Sequence, residues 1–439
     1  MEEPHRQTLT LSLNMQVSFL PVVTRFVETA ASVFGLGKNE GLKLTLATEE
    51  IFITLCKGVS SGKTIEIQCL NGVYYVRVLF RFSLSDLNLK GLNITSTLTG
   101  DGETGLEEMG LMIAARSVDR LNIVIEPHQT VCLVIDKEKD YPSAPEISFP
   151  QPEPGEEITI GIPDIEGQKE FAMQVAQIEA DPLIPSFFRY PGKVVDMVGS
   201  GEYQALVALG PGQEIAGGVF YCFPTERMVQ VFGPFAFQTV QGEAISEKLL
   251  EAFIARIART KAIGIINTSG LSEPLQPHFE TLGFRTYYGS GSEQLRQPCF
   301  YRMLHEDPGC GVWTHGDLKG YLGREYDRLI LAREIKTIQD LGESRSGASI
   351  FSAEFHREHL EVTLRPLWPG SDFADNVERH VHFLKAEHIL NIFFELDLGI
   401  SWQAVLVPAL LINRFKPAMI LPFAGQADLV VFQYHATES

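Results

Sequence analysis

The chain has 439 residues, of which 45% are hydrophobic and 21% are charged, and its formal net charge is −19 at pH 7. A chain of this length exceeds what one hydrophobic core usually organises, so we expect a soluble protein of two or three domains. No apolar run approaches the roughly 18 residues of a membrane span. The strong negative charge argues against nucleic acid or anionic lipid as the main partner.

The cysteines and the start of the chain favour a cytoplasmic protein. The six cysteines lie far apart and form no Cys-x-x-Cys pair, which fits reduced thiols. The first residues contain no basic segment followed by an apolar core, so no secretory signal is predicted.

The first 138 residues are predicted to form one α+β domain. One sheet with helices on one face, an α/β sandwich, accommodates the predicted elements. In chain order they are a strand at 8–14, helices at 15–34 and 41–57, strands at 64–69 and 73–82, a loop and helix at 100–119, and strands at 121–126 and 130–136.

Two stretches of this domain carry a family resemblance, LTLATEEIFITLCKG at 44–58 and MGLMIAARSVDRLNI at 109–123. With the order of elements they resemble the anti-sigma-factor type of the histidine-kinase-like ATPase (GHKL) family. The resemblance implies a nucleotide site at Glu50, Thr54 and Gly110, in which Glu50 matches the acid that activates water. It also implies a protein partner for this module.

Three requirements of a working nucleotide site are missing. Thr54 stands where the family has a magnesium-binding Asn, and a hydroxyl is a poorer ligand than an amide oxygen for a cation that demands near-octahedral oxygens. Phe80, Arg81 or Phe82 occupies the place of the adenine-reading aspartate. Glu108 replaces a glycine of the lid. The sequence therefore predicts a degenerate ATPase domain that does not bind Mg-ATP.

A linker and a second domain follow. The stretch KEKDYPSAPEISFPQPEPGEE at 137–157 holds five prolines and no periodicity, so residues 139–156 are predicted to form an extended linker. A second domain over 157–306 is predicted to contain a strand at 157–165, a helix to 180, a hairpin at 203–223, a strand at 228–237, a helix at 242–260, a strand at 262–269, and a short helix and strand at 273–288.

The order of elements over 157–305 and the stretch HFETLGFR at 278–285 resemble the GNAT family of acetyltransferases. The resemblance implies that acetyl-CoA or another acyl-CoA lies along the fourth strand, beside Phe235 and Phe237. The backbone of 233–237 would be free for its pantetheine arm. The pyrophosphate would meet the loop TVQGEA, where small residues allow close approach. The candidate binding residues of this loop are Thr239, Gln241, Gly242 and Ala244.

The second domain also departs from that family. Thr239 replaces the usual Arg or Gln, and Glu243 and Glu247 place acid near a bound pyrophosphate. Phe279 stands where many members have a tyrosine that protonates the leaving thiolate. Some members work without it, because the bound amine and thioester need mainly proximity and a base. No catalytic residue is assigned.

The C-terminal part, 307–439, is predicted to be a further α/β domain. A helix is predicted at 318–335, and the run 407–434 resembles the helix, turn and final hairpin of a GNAT domain. This predicts a second, partial GNAT copy. Arg414 replaces the glycine that precedes the phenylalanine.

Two other motifs are weaker. GDGETG at 100–105 matches a phosphate loop, but no strand enters it and its acids would repel an anion, so a solvated loop is favoured. Five histidines cluster in the segment 356–388. Without a completing cysteine or carboxylate spacing, surface residues such as His380 and His382 are favoured over a metal site.

The sequence thus predicts a bacterial-type fusion of a degenerate ATPase-like regulatory module and a GNAT-like module. The first hypothesis is an acyl-CoA-dependent N-acetyltransferase that acts on a small-molecule or protein amine. The alternative is a non-catalytic regulatory protein that binds a protein partner through its N-terminal module. Neither hypothesis requires a metal, nucleic acid or a membrane.

Overall fold

The molecule is a mixed α+β protein with four sheets among the described residues. In this part of the chain no helix is long and apolar enough to cross a membrane. The computed structural model describes residues 7–58, 63–83, 93–95, 110–126, 130–145, 147–150, 157–178, 184–237, 241–289, 294–339, 347–356 and 359–436.

The N-terminal module, residues 7–138, is a five-stranded antiparallel sheet with three helices on one face. Alternate residues of the strands meet the apolar sides of the helices in one core, which includes Val27, Phe52, Ile67 and Phe80. The sheet order is β1-β2-β3-β5-β4. Its elements are β1 (Thr8–Asn14), α1 (Leu20–Val33), α2 (Lys38–Gly58), β2 (Thr64–Asn71), β3 (Tyr75–Ser83), α3 (Gly110–Ser117), β4 (Arg120–Glu126) and β5 (Thr130–Glu138).

These elements agree with those that the periodicity predicts. The predicted helix at 15–34 is divided, since a 3₁₀ turn at Val17–Phe19 precedes α1. The GDGETG loop lies outside the described residues. The assignment of this module to the GHKL family remains a prediction.

The linker has no helix or strand in its described residues, as predicted. It nevertheless packs against the modules on both sides. Lys139 donates its N–H to the carbonyl of Tyr74 at 2.9 Å, and the hydroxyl of Tyr141 donates to Asp196 at 2.6 Å.

The middle module, residues 157–306, is a seven-stranded sheet covered on both faces. The core around α6 lies on one face, and the core around α4 and α5 lies on the other. Its elements are β6 (Thr159–Gly161), α4 (Ile165–Ala176), α5 (Pro191–Gly199), β7 (Tyr203–Leu209), β8 (Ile215–Thr225), β9 (Met228–Ala236), α6 (Gly242–Ile257), β10 (Gly264–Asn267), β11 (Glu280–Tyr288) and β12 (Gln294–Met303).

The order β11-β12-β10-β9-β8-β7-β6 contains one parallel pair, β9 with β10, joined by α6. The last strand, β12, lies between β10 and β11. The module therefore has the GNAT-like arrangement that the sequence predicts.

The C-terminal module, residues 307–436, contains a parallel pair and a five-stranded sheet in the order β15-β16-β17-β19-β18. The predicted helix at 318–335 ends earlier, because Ile330 adopts a left-handed conformation with φ of 55°. The elements are β13 (Cys310–Thr314), α7 (Gly316–Leu329), β14 (Arg333–Thr337), β15 (Ile350–His356), β16 (Glu361–Trp368), α8 (Phe373–Ala386), β17 (Asn391–Asp397), α9 (Val407–Ile412), β18 (Phe415–Leu421) and β19 (Leu429–Tyr434).

The five-stranded sheet repeats the connectivity of β8 to β12. In both sheets a parallel pair is joined by one helix, and the final hairpin inserts its second strand beside that pair. The pair β13 and β14 has no counterpart, since it is parallel whereas β6 and β7 are antiparallel. The copy is partial in this sense, and its membership of the GNAT family remains a prediction.

Contacts between distant parts of the chain join the three modules. The hydroxyls of Tyr74 and Tyr75 donate to the carboxylate of Glu202 at 2.8 and 2.9 Å. The strands β11 and β18 cross closely at Gly283, where an added Cβ would lie 2.2 Å from the carbonyl oxygen of Ala418. The modules therefore pack as one body.

Candidate functional site

Parallel pairing between β9 and β10 of the middle module ends partway along β9. The two strands pair from Met228 with Gly264 to Val231 with Asn267. There β10 ends, while β9 continues to Ala236. The second half of β9 and the segment that follows β10 are called the wedge below.

The backbone of β9 in this wedge is not free, so the prediction that 233–237 is available for a ligand is wrong at Gly233. The side-chain amide of Asn267 donates to the Gly233 carbonyl at 2.6 Å. The Gly233 N–H donates to the hydroxyl of Ser269 at 3.3 Å. Pro234 has no N–H, and Phe237 donates its own to Ala216 at 2.9 Å.

The side chain of Asn267 is held in this position because its amide oxygen also accepts a hydrogen bond. It accepts the N–H of Ser269 at 2.9 Å, which turns the chain back over the wedge. Asn267 is fully buried, and Ser269 is 5% exposed. Sequence reasoning missed both residues, although an asparagine that ends a buried apolar strand was a visible signal.

The predicted residue Phe235 is buried in the core, and Phe237 is partly buried against the same core. The ring of Phe171 on α4 lies 6.3 Å from that of Phe235 and 6.2 Å from that of Phe237. Phe188 contacts Phe235 at 5.6 Å between ring centroids. These phenylalanines form an apolar wall on the α4 side of the sheet.

The predicted pyrophosphate loop leads into α6, and only part of it is described. Thr239 lies outside the described residues. Gln241 is the N-cap of α6, its side chain makes no capping hydrogen bond, and its carbonyl accepts the N–H of Ile245 at 3.0 Å. At Gly242 an added Cβ would meet Ala236 at an ordinary 3.5 Å. Ala244 is exposed, as is the neighbouring Glu243, so the first turn of α6 faces solvent.

Polar side chains stand around the segment after β10. Gln230 donates to the hydroxyl of Thr268 at 3.2 Å, and Gln297 donates to the Thr268 carbonyl. Phe279 is 8% exposed and belongs to the α6 core, so it supplies no proton. The amides and hydroxyls can position a polar group, but they are not bases near neutral pH.

In the C-terminal module, too, a side-chain amide bonds the backbone beyond the last parallel pair. β16 and β17 pair in parallel up to Leu364 with Phe394. Beyond that pair, Gln403 donates to the carbonyl of Pro366 at 3.3 Å and accepts the N–H of Asp397 at 2.7 Å. In both modules the bridged carbonyl lies two residues beyond the last parallel pair.

The predicted nucleotide residues do not form a magnesium site in the described structure. The Thr54 hydroxyl donates to the carbonyl of Glu50 at 2.8 Å within α2. Burial and the neighbouring Glu49 raise the pKa of Glu50. Gly110 is the first residue of α3, and the lid residues before it lie outside the described part of the chain.

The position at which the resemblance implies an adenine-reading acid is apolar on the side that faces the helices. Phe80 and Phe82 are buried in the core of the N-terminal module. Arg81 points to the other face of the sheet, where it bonds Glu66 at 3.2 Å and Glu126 at 3.4 Å. Each alternative at this position therefore lacks an acid that could bind adenine.

The predicted absence of a metal site is not contradicted. Within the described ranges, no three His, Cys, Asp or Glu side chains are placed to hold one ion. The expectation that His380 is a surface residue is wrong, because it lies fully buried on α8. Burial lowers the pKa of His380 to about 4, and the His380 Nδ1 bonds the carbonyl of Asn376 at 2.8 Å.

Comparisons with known proteins find GNAT structures that are similar to about a third of the chain. No family model and no curated protein matches the chain. Among the similar solved structures are a GNAT acetyltransferase from Staphylococcus aureus Mu50 (17% identity, 34% of this chain, 100% of that chain, TM-score 0.26) and yncA from Salmonella typhimurium with its cofactor acetyl-CoA (15%, 34%, 96%, 0.29). A phosphinothricin acetyltransferase from Sinorhizobium meliloti, in complex with AcCoA, is also similar (17%, 34%, 89%, 0.28).

About a third of the chain is GNAT-like. Identities this low concern the fold alone and carry nothing about substrate or activity. None of the comparisons supports a GHKL module.

Proposed function

We propose that the protein binds an acyl-CoA in the wedge between β9 and β10 and is an acyl-CoA-dependent N-acetyltransferase. The observation that carries the proposal is the end of parallel pairing at Val231 and Asn267, with five further residues of β9 beyond it. The solvent-exposed first turn of α6 lies at the end of the same strand. Its N–H groups and dipole favour an anion such as a pyrophosphate.

The reaction proposed is transfer of an acyl group to an amine. The amine nitrogen attacks the thioester carbonyl carbon, the carbon–sulfur bond breaks, and the nitrogen loses a proton as the thiolate gains one. Phe279 cannot supply that proton, so proximity of the two bound reactants provides most of the rate enhancement. The acceptor is a small-molecule or protein amine, and the N-terminal module has a regulatory role.

A titration with acetyl-CoA tests this function. We expect weak binding by the wild type, because Glu243 repels the pyrophosphate. Glu243→Gln should strengthen binding, and Gly242→Glu should abolish it by placing a second acid at the first turn. Glu251→Gln is a control that removes the same charge at an exposed position about two turns further along α6, and it should bind like the wild type.

The absence of binding by both the wild type and Glu243→Gln would refute the acyltransferase proposal. The alternative would then stand, a regulatory protein whose N-terminal module binds a protein partner. The closure of Gly233 by Asn267 and Ser269 favours this alternative, since a pantetheine arm must displace those bonds.

A further inference from the structure

Three polar side chains lie together in the sheet of the middle module, beside the wedge. Gln230 on β9 and Gln297 on β12 flank Thr268, the residue that follows β10. The side-chain amide of Gln230 donates to the Thr268 hydroxyl at 3.2 Å, and that of Gln297 donates to the Thr268 carbonyl. These three residues are called the amide cluster below. They lie directly beyond the last parallel pair, Val231 with Asn267.

The amide cluster lies on the sheet face opposite α6. Val229 and Val231, which alternate with Gln230 along β9, belong to the core under α6. On the face of Gln230, Met228 belongs to the core shared with the C-terminal module, and Phe232 belongs to the core around α4 and α5. Gln230 therefore lies where one apolar core of this face ends and another begins.

In the described part of the chain, the amide oxygens of Gln230 and Gln297 accept no hydrogen bond, because each side chain bonds Thr268 through its nitrogen alone. Gln230 and Thr268 are half-buried, so part of the cluster contacts solvent. An amide oxygen has two lone pairs and accepts N–H groups. The cluster can therefore receive the N–H groups of an amine.

The neighbours of the two glutamines in the sheet do not supply a base. Cys222 on β8 pairs with Gln230, and burial raises the pKa of its thiol to about 12, so the thiol is protonated at neutral pH. Arg285 on β11 pairs with Gln297 and bonds the carboxylate of Glu361 at 3.3 Å.

Two further carboxylates of this region already have partners. Glu395 is bonded by Arg365 at 2.7 Å and lies 3.8 Å from Arg285. Glu202 accepts two tyrosine hydroxyls from the N-terminal module. Among the described residues, the amide cluster thus presents neutral groups to a ligand, with no carboxylate of its own.

A neutral site of this kind favours an amine that binds without a charge. It offers no counter-ion to replace the water around an ammonium group, so burial disfavours the charged form. An α-amino group has a pKa of about 8, whereas a lysine side chain has a pKa of about 10.4. At pH 7.5, about a quarter of α-amino groups are therefore uncharged, compared with about one lysine side chain in 800.

We propose that the amide cluster binds the acceptor amine in its uncharged form and thereby selects weakly basic amines, such as α-amino groups, over lysine side chains. This inference rests on the proposed acyltransferase function. The amine donates N–H groups to the amide oxygens of Gln230 and Gln297 and meets the thioester from the face opposite α6. Its nitrogen attacks the carbonyl carbon, the carbon–sulfur bond breaks, and the thiolate takes the proton that the nitrogen loses.

Acylation assays with the full chain and acetyl-CoA test the proposal. The acceptors are alanine amide, whose amine is an α-amino group, and Nα-acetyl-lysine amide. We expect the KM of alanine amide at pH 7.5 to be lower by about ten-fold or more. For each acceptor, kcat/KM should rise with pH up to the pKa of that acceptor, because no protein base removes the proton first.

Variants of the amide cluster assign the effect to its residues. Gln230→Ala and Gln297→Ala should each raise the KM of alanine amide about five- to ten-fold and leave the affinity for acetyl-CoA unchanged. Gln230→Glu supplies a counter-ion for an ammonium group and should narrow the preference for alanine amide. The control Gln294→Ala, at an exposed position of β12, should keep the wild-type KM.

The possible failures separate this inference from the proposed function. If acetyl-CoA binds, the inference is overturned by acylation of neither amine, by a preference for the lysine amide, by a bend of kcat/KM at one pH for both acceptors, or by an unchanged KM in Gln230→Ala. The proposed function would then stand. If acetyl-CoA does not bind, both fall together. Circular dichroism shows whether Gln297→Ala is folded, and Gln230→Ala decides the question if it is not.

Discussion

Replacement of Asn267 tests how the wedge of the middle module is held closed. Asn267→Ala removes the donor to the Gly233 carbonyl at 2.6 Å and the acceptor of the Ser269 N–H at 2.9 Å. Each of these two buried groups left without a partner costs about 1–3 kcal/mol, so the free energy of unfolding should fall by about 2–6 kcal/mol. Water that enters the space would place the result at the lower end of this range.

A charged residue at position 267 should destabilise the protein more than alanine does. Asn267→Asp retains an acceptor for the Ser269 N–H but directs a carboxylate at the Gly233 carbonyl, in a fully buried position. We therefore expect Asn267→Asp to be less stable than Asn267→Ala at pH 7. Stability should recover at low pH, because a protonated carboxyl can donate to Gly233.

Urea unfolding by circular dichroism measures the overall loss for each variant. Because a chain with several modules need not unfold in one step, hydrogen exchange of peptides that cover 228–237 and 264–269 localises the change. Asn39→Ala, at an exposed position of α2, is the control and should remain within about 0.5 kcal/mol of the wild type. The reasoning is refuted if Asn267→Ala leaves exchange in both peptides unchanged, or if the Asp variant matches it at pH 7.

Three further predictions concern other parts of the chain. Isothermal titration with Mg-ATP should show no micromolar binding, because Thr54 replaces the metal ligand, and measurable heat at that level would contradict this. Folded His380 stays neutral down to its lowered pKa of about 4, whereas an unfolded histidine protonates near its ordinary pKa of 6.5. Acid therefore favours the unfolded chain, and stability should fall from pH 6.5 toward 4. His380→Asn should reduce this loss of stability, whereas the control His382→Asn, at an exposed position, should not. Urea titrations at several pH values measure the free energy of unfolding. The same pH dependence in both variants would refute this role of His380. Gly283→Ala should lower the melting temperature, because its Cβ would lie 2.2 Å from the carbonyl oxygen of Ala418, and an unchanged melting temperature would count against this close crossing.

Much of the fold was predictable because periodicity is a local property. The strand predicted at 73–82 corresponds to β3, on which Phe80 and Phe82 face the helices and Arg81 faces the other side. The order of elements over 157–306 likewise predicted the GNAT-like sheet. The candidate site was predicted less well, since Phe235 lies in the core and Gly233 already has side-chain partners.

The sequence alone determined the helices and strands, the linker and the apolar residues at 80 and 82, because each depends on neighbouring residues. Only the tertiary structure decided which backbone groups stay free. Asn267 reaches Gly233 across 34 residues, and Tyr74 reaches Glu202 across 128. Such contacts leave no period in the sequence, because they depend on where the chain returns in space. The same packing places β4 against β15 and β11 against β18.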